Sequence, residues 1–256
     1  TDDGWTDVYV AADSTAAILY RNNHDGTFTD IAVESGTAYS EHGSPQAGMG
    51  VAAGDYNNDG RIDLAKTHFS DDIPALYRNL GKGLFEDSAV AAGLHVQNRY
   101  VQWGTGLADS DNDGFVDLMC VTGHVYPEIE RSLEQYPHRG PRVLFRNKAV
   151  GTGDVRFEDV TAASGSGVTT PHSSRGAAFG DIDNDGDVDV VVANNNGPVR
   201  LLVNTRGNHT AWLGLRLLGR DAPRDMLGAR VAVTRADGRV LWRRAHADGS
   251  YASAGD

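Results

Sequence analysis

The chain has 256 residues, 40 % hydrophobic and 23 % charged, enough to bury a core as one large domain or as a medium domain with a small one. A net charge of −12 disfavours nucleic acid and anionic membrane surfaces as partners, and no apolar stretch approaches the ~18 residues a membrane-spanning helix needs. The lone cysteine, Cys120, excludes an intrachain disulfide, and 31 glycines point to many turns between short strands.

The chain opens, without an initiator Met or a signal-peptide pattern, inside "TDDGWTDVYVAADS", the back half of a motif that returns three times. It therefore reads as a fragment or processed piece. Next come "LYRNNHDGTFTD" from Leu19, the small-residue turn "ESG" and the Gly-rich apolar "GMGVAAGD". The first full motif, "GDYNNDGRIDLAKTHFS", runs from Gly54 to Ser70. After "LYRNLGKGLFED", "AAG" and "WGTGLAD" comes the second, "ADSDNDGFVDLMCVTG", from Ala108, whose apolar run places Cys120 in a core. An insertion, "GHVYPEIERSLEQYPHRGPR", follows. Its Ile129, Leu133 and Tyr136 fall at i, i+4 and i+7, and Pro127 suits a first helical turn, so a short helix is expected. "LFRNKAVGTGDVRFED", "ASG" and "RGAAFGD" then lead to the third motif, "GDIDNDGDVDVVVANNNG", from Gly180, and a weaker "LLVN" starts at Leu201.

Aligned on the central Asp-Gly, the copies superimpose Asp3, Asp59, Asp113 and Asp185 at spacings of 56, 54 and 72. Each unit reads as strand, acidic loop, strand, strand, Gly turn, strand. Four short strands in each unit point to the blades of a β-propeller.

The loops carry the chemistry. Numbered from the first aspartate, position 1 is Asp55, Asp109 or Asp181, and position 3 is Asn57, Asp111 or Asp183. Position 5 is Asp59, Asp113 or Asp185, and position 6 is always glycine. Position 7 is Arg61, Phe115 or Asp187, and position 9 is Asp63, Asp117 or Asp189. Oxygens at 1, 3 and 5 can curl around a hard cation, the glycine permits a sharp turn, the carbonyl of 7 can point inward, and 9 closes the cage. On this reading Asp187 lends its carbonyl and leaves its carboxylate in solvent. All-oxygen ligands on a long loop favour Ca²⁺ over Mg²⁺. An EF-hand is excluded, since position 12 is Lys66, Cys120 or Val192 and the flanks are β-rich. Three bound calcium ions would bring the formal charge to −6. Catalysis by these aspartates is disfavoured because the feature recurs once per blade. The N-terminal copy keeps Asp3, Gly4 and Asp7 but lacks position 1, so it should bind poorly.

Residues 206–256 hold nine Arg and five Asp, a net +4, which leaves −16 on residues 1–205. Trp212, Leu213, Leu215 and Leu217 are expected to form one strand and Val231 and Val233 another, with a hairpin at "ADG" before "RVLW". Asn208-His209-Thr210 matches the N-glycosylation pattern, which matters only in a eukaryotic secretory setting.

With these motifs on the page, the loops and "LYRN…G.F.D" resemble FG-GAP (VCBS-type) repeats, the blades of integrin-α-like propellers. Asn208–Asp256 looks like the ASPIC/UnbV domain, so the chain as a whole resembles the cartilage acidic protein family. "GHVYPE" and "SSRGAAFGDIDNDGD" look typical of its bacterial members. The resemblance implies a calcium-binding, secreted or cell-surface propeller of about seven blades, of which some three and a half repeats are present here. It supplies no substrate.

The expectation is an all-β protein. Residues 1–205 form a partial FG-GAP-type β-propeller and 206–256 a small, C-terminally truncated ASPIC/UnbV domain. It would be a binding or adhesion module, extracellular, on the cell surface or periplasmic, with about three structural Ca²⁺ and a protein or glycan ligand on the propeller face. The alternatives are a secreted enzyme acting on polysaccharide or another polymer, with its site near the 124–142 insertion, and a purely structural segment of a larger surface protein; His124, His138 and His172, near the insertion and the third loop, read as surface or turn histidines.

Overall fold

The computed structural model describes residues 1, 3–149, 155–220, 224–247 and 249–253. Four antiparallel meanders follow one another along the chain. The first joins β1 (Val8–Val10), β2 (Ile18–Asn22) and β3 (Phe28–Asp30). The second joins β4 (Val51–Gly54), β5 (Asp63–Lys66), β6 (Ala75–Gly81) and β7 (Leu84–Asp87). The third runs β8 (Gln102–Ala108), β9 (Asp117–Thr122), β10 (Val143–Asn147) and β11 (Phe157–Asp159), and the fourth β12 (Ser174–Gly180), β13 (Asp189–Asn194) and β14 (Arg200–Leu202). The protein is all-β and propeller-like, as expected. Four strands per unit hold for the second and third blades, while the first and fourth show three among the described residues.

The blades stack through their leading strands, β4 against β8 and β8 against β12. This contact explains the glycine-rich stretches before each acidic loop. A Cβ on Gly104 would lie 2.7 Å from the backbone nitrogen of Ala177, and one on Gly106 2.3 Å from the Phe179 ring. Only glycine lets the leading strands approach this closely.

Stacking also covers both faces of the middle blades. On β9, Leu118 and Cys120 enter a core shared with Tyr56, Leu76, Phe145 and Phe157, while Met119 and Val121 enter another with Trp103, Phe179, Val190 and Leu202. Successive side chains point to opposite faces, so a strand covered on both sides reads as one apolar run. Cys120 is fully buried, as expected.

The 124–142 insertion does not form the expected helix. It makes one 3₁₀ turn, Ile129–Arg131, and then runs irregularly. In the C-terminal region, β15 (Arg230–Thr234) and β16 (Val240–Arg244) form the expected hairpin, with Gly238 at φ +82°. The strand expected at Trp212–Leu217 is absent. The Trp212 ring instead covers Gly186, where a Cβ would come within 2.1 Å of it, and Leu213 and Leu215 stay more than half exposed. Seating on that glycine competes with strand pairing and prevails.

Candidate functional site

Each acidic loop joins the first two strands of the second to fourth blades, and all three adopt one conformation built from their own side chains. The position-1 carboxylate accepts the N–H of position 5 through Oδ1 (3.1, 3.0 and 3.1 Å) and the N–H of the position-6 glycine through Oδ2 (2.7, 2.9 and 3.0 Å). The position-5 carboxylate accepts the N–H of position 7 at 2.9, 2.9 and 3.2 Å. Two left-handed residues make the curl: position 4 at φ 53, 53 and 59° (Asn58, Asn112, Asn184), and glycine at φ 87, 101 and 92° (Gly60, Gly114, Gly186).

Position 9 has a further task. Asp63 accepts the N–H groups of Tyr56 (3.2 Å) and Asn79 (2.8 Å), Asp117 those of Ser110 and Asn147, and Asp189 those of Ile182 and Asn204. One carboxylate thus ties the loop to the third strand of its blade. In the first blade Asp7 likewise accepts the N–H of Asn22 and the N-terminal amine. The paired asparagine, the last residue of each "RN" or "VN", folds back in turn. Its Oδ1 accepts the N–H two residues on, from His24, Gly81, Ala149 or Arg206.

Sequence reasoning passed over these asparagines and those at position 4. Asn58 Nδ2 donates to the carbonyl of Gly114 (3.1 Å), and Asn112 Nδ2 to that of Gly186 (2.9 Å). Each links its loop to the next blade's loop. The recurring "NDG" and "RN" were the available signal.

The loops gather oxygens closely enough for a metal ion. Carboxylate oxygens of Asp109, Asp111 and Asp113 lie within 4.8 Å of one another, as do those of Asp181, Asp183 and Asp189. The first loop, with Asn57 at position 3, shows no such trio of carboxylates among the described residues. Asp111 Oδ1 is buried and has no hydrogen-bond partner among the described residues, and the residue is 7 % exposed. A buried unpaired carboxylate oxygen in an all-oxygen cluster fits a hard cation. Burial, reinforced by neighbouring aspartates, lifts the carboxyl of Asp63 to about 8, Asp117 to about 7 and Asp109 to about 6. Positive charge does reach the clusters: Arg61 pairs with Asp59 at 3.0 Å, Arg146 with Asp111 at 2.5 Å and Arg243 with Asp109 at 3.0 Å.

Asp187 departs from expectation. Its carboxylate is not in solvent but fully buried, with Oδ2 accepting the N–H of Asn208 and the Cβ against Gly207. Asn208 itself donates to Asp185 Oδ2 at 2.8 Å. The C-terminal region therefore lies directly on the loops. Trp242, Leu241 and Trp212 sit over the three position-6 glycines, Gly60, Gly114 and Gly186, and Trp242 N–H donates to Asn58 Oδ1 (3.3 Å). Further along, Ser250 Oγ accepts the N–H of Thr105, and Tyr251 stacks edge-on against Trp103.

At the opposite end of the blades, His124 N–H donates to the carbonyl of His138 (3.0 Å), while His172 exchanges two backbone bonds with Gly140. Burial, with His138 and Arg175 adding, holds the His124 ring below the usual histidine range.

Stacked blades whose loops read D-x-D/N-x-D-G-x-x-D fit an FG-GAP repeat protein, and residues 1–65 match the FG-GAP-like repeat family model. Within that class the chain is similar to cartilage acidic protein 1, and the family resemblance is borne out. It is 34 % identical to the Mus musculus protein over 208 residues, covering 75 % of this chain and 28 % of that one. Against the Homo sapiens protein the identity is 29 % over 208 residues, covering 75 % and 27 %. Against the Xenopus tropicalis protein it is 35 % over 133 residues, covering 50 % and 17 %. The chain thus spans less than a third of the length of these relatives. A solved lectin from Agrocybe aegerita aligns over 94 % of this chain and 57 % of its own, with a TM-score of 0.43 and 18 % identity. That distant likeness bears on neither ligand nor mechanism. No described helix is long and apolar enough to cross a membrane.

Proposed function

We propose that this chain is part of a non-enzymatic binding or adhesion module whose blades are stabilised by calcium in the three acidic loops. The observation that carries the reading is the buried, unpartnered Asp111 oxygen inside a cluster of three carboxylates. In this reading Asp55, Asn57, Asp59 and Asp63, Asp109, Asp111, Asp113 and Asp117, and Asp181, Asp183, Asp185 and Asp189 present side-chain oxygens. Arg61, Phe115 and Asp187 present carbonyls. A calcium ion supplies the counter-charge that lets neighbouring carboxylates stay ionised together. The residues do the rest. Position-1 and position-5 aspartates hold the loop closed through backbone N–H groups, and position 9 fixes the loop to the third strand.

Sites of about 10⁻⁴ to 10⁻³ M affinity would fill in an extracellular or periplasmic setting, where we place the module. Residues 1–205 serve as the propeller segment and 206–256 as an ASPIC/UnbV-type domain laid over its loops. The ligand is a protein or a glycan. The insertion offers half-exposed Val125 and well-exposed Tyr126 beside His124 for such a contact. Melting with calcium and with a chelator tests the metal, and an unchanged Tm would sink it. A glycan and peptide array run alongside a polysaccharide-hydrolysis screen tests the binding role. Turnover lost in His124→Ala but kept in Asp111→Asn would replace it with the enzyme.

A further inference from the structure

We propose that Arg243 is a built-in competitor for the second acidic loop, so that calcium at that loop and docking of the C-terminal hairpin oppose each other. This rests on the calcium reading of the loops. Two observations carry it. The Arg243 Nη2 lies 3.0 Å from Oδ2 of Asp109, a member of the trio formed by Asp109, Asp111 and Asp113. A guanidinium and a metal cation drawing on the same carboxylate repel one another at close range, so each weakens the other's hold. Arg243 also belongs to β16, in a hairpin outside the blades. Arg146, which pairs with Asp111 of this loop, is fixed in β10 of the same blade.

The hairpin depends on the loops for its seat. Leu241 covers Gly114, Trp242 covers Gly60 and bonds to Asn58, and Arg235 Nη1 donates to the Asp113 carbonyl (3.1 Å). A shift at Asp109 is therefore felt at neighbouring contacts of the same hairpin. The charges match the arrangement, an Arg-rich segment of net +4 against −16 on the rest of the chain. The three loops are then unequal. At the third, the C-terminal region presents the neutral amide of Asn208 to Asp185, not a guanidinium.

Linkage makes the effect reciprocal: whatever factor Arg243 takes from calcium affinity, calcium takes from hairpin docking. The test uses the full chain and calcium chloride. By calorimetry, Arg243→Gln should tighten one calcium step about fivefold, the size of a partly exposed ion pair, and leave the other steps unchanged. Amide exchange in the wild type, which does not depend on the variant folding, should quicken at Trp242 and Arg243 as calcium is added. Calcium binding with unchanged steps in Arg243→Gln, or exchange that stays constant or slows, overturns the competition and leaves the calcium reading standing. No calcium heat in either protein at millimolar concentrations overturns the reading itself, and the competition with it.

Discussion

Asn147 sits 1 % exposed at the end of β10, where its Nδ2 donates to the carbonyls of Tyr56 (2.9 Å) and Val116 (3.0 Å) and its Oδ1 accepts the Ala149 N–H. Replacing it with alanine removes three hydrogen bonds and strands two buried carbonyls. Asn147→Ala should therefore lose about 3 kcal/mol in urea unfolding, and Asn22→Ala, in a half-buried setting, about 1. Equal losses would show that burial does not set the cost. Lys66 is the opposite case, a buried cation with one hydrogen bond among the described residues, from Nζ to Tyr77 Oη at 3.2 Å. Burial brings its pKa from 10.5 down to about 8. The folded state thus releases this proton more readily than the unfolded one, so stability rises between pH 8 and 10.5 and is lost as pH falls through 8. Lys66→Met should stabilise the protein at pH 7 by about 2 kcal/mol and flatten that rise; a parallel pH profile for wild type and variant would refute it. The loop aspartates were legible in the sequence because they repeat. The "RN" asparagines repeat as well, but an amide has no chemistry that singles it out until its partners are seen.

At the level of elements, the apolar runs after each "DG" were legible as strands, and β9 shows why. Six consecutive buried residues need two covered faces, and stacked blades provide them. The leading strands are more demanding. Gly104→Ala drives a methyl into the Ala177 backbone nitrogen, which can yield only by moving β12, and should cost about 2–4 kcal/mol. Gly238→Ala, with open space around it and only a positive φ to satisfy, should cost about 1 kcal/mol. Urea midpoints of the two variants separate contact from conformation. The two misread elements failed for physical reasons. The insertion had three apolar residues at helical spacing but no face to bury them against, so it kept a single turn. Trp212–Leu217 had the alternation of a strand, but that pattern carries no information about a glycine elsewhere whose bare surface accepts the Trp212 ring.

Over the whole molecule, the acidic loops and the Arg-rich C-terminal region balance each other. Withdrawing calcium should lower Tm, since each site filled at ten times its Kd adds about 1.4 kcal/mol, and a scan in chelator checks it. Raising salt should loosen the hairpin, because Arg243 and Asp109 meet where solvent screens them. The division into repeats was legible from spacing alone. The way Trp212, Leu241 and Trp242 lie over those repeats was not, because nothing in an Arg-rich stretch announces which glycines it will cover. The Asn58 and Asn112 amides add one more consequence. Each hooks forward onto the carbonyl of the following loop, while Asn147 and Asn204 reach back to the carbonyls of Tyr56 and Ser110, so neighbouring loops are clasped from both sides. Cutting one clasp weakens a single joint and leaves both adjoining loops closed by their own aspartates.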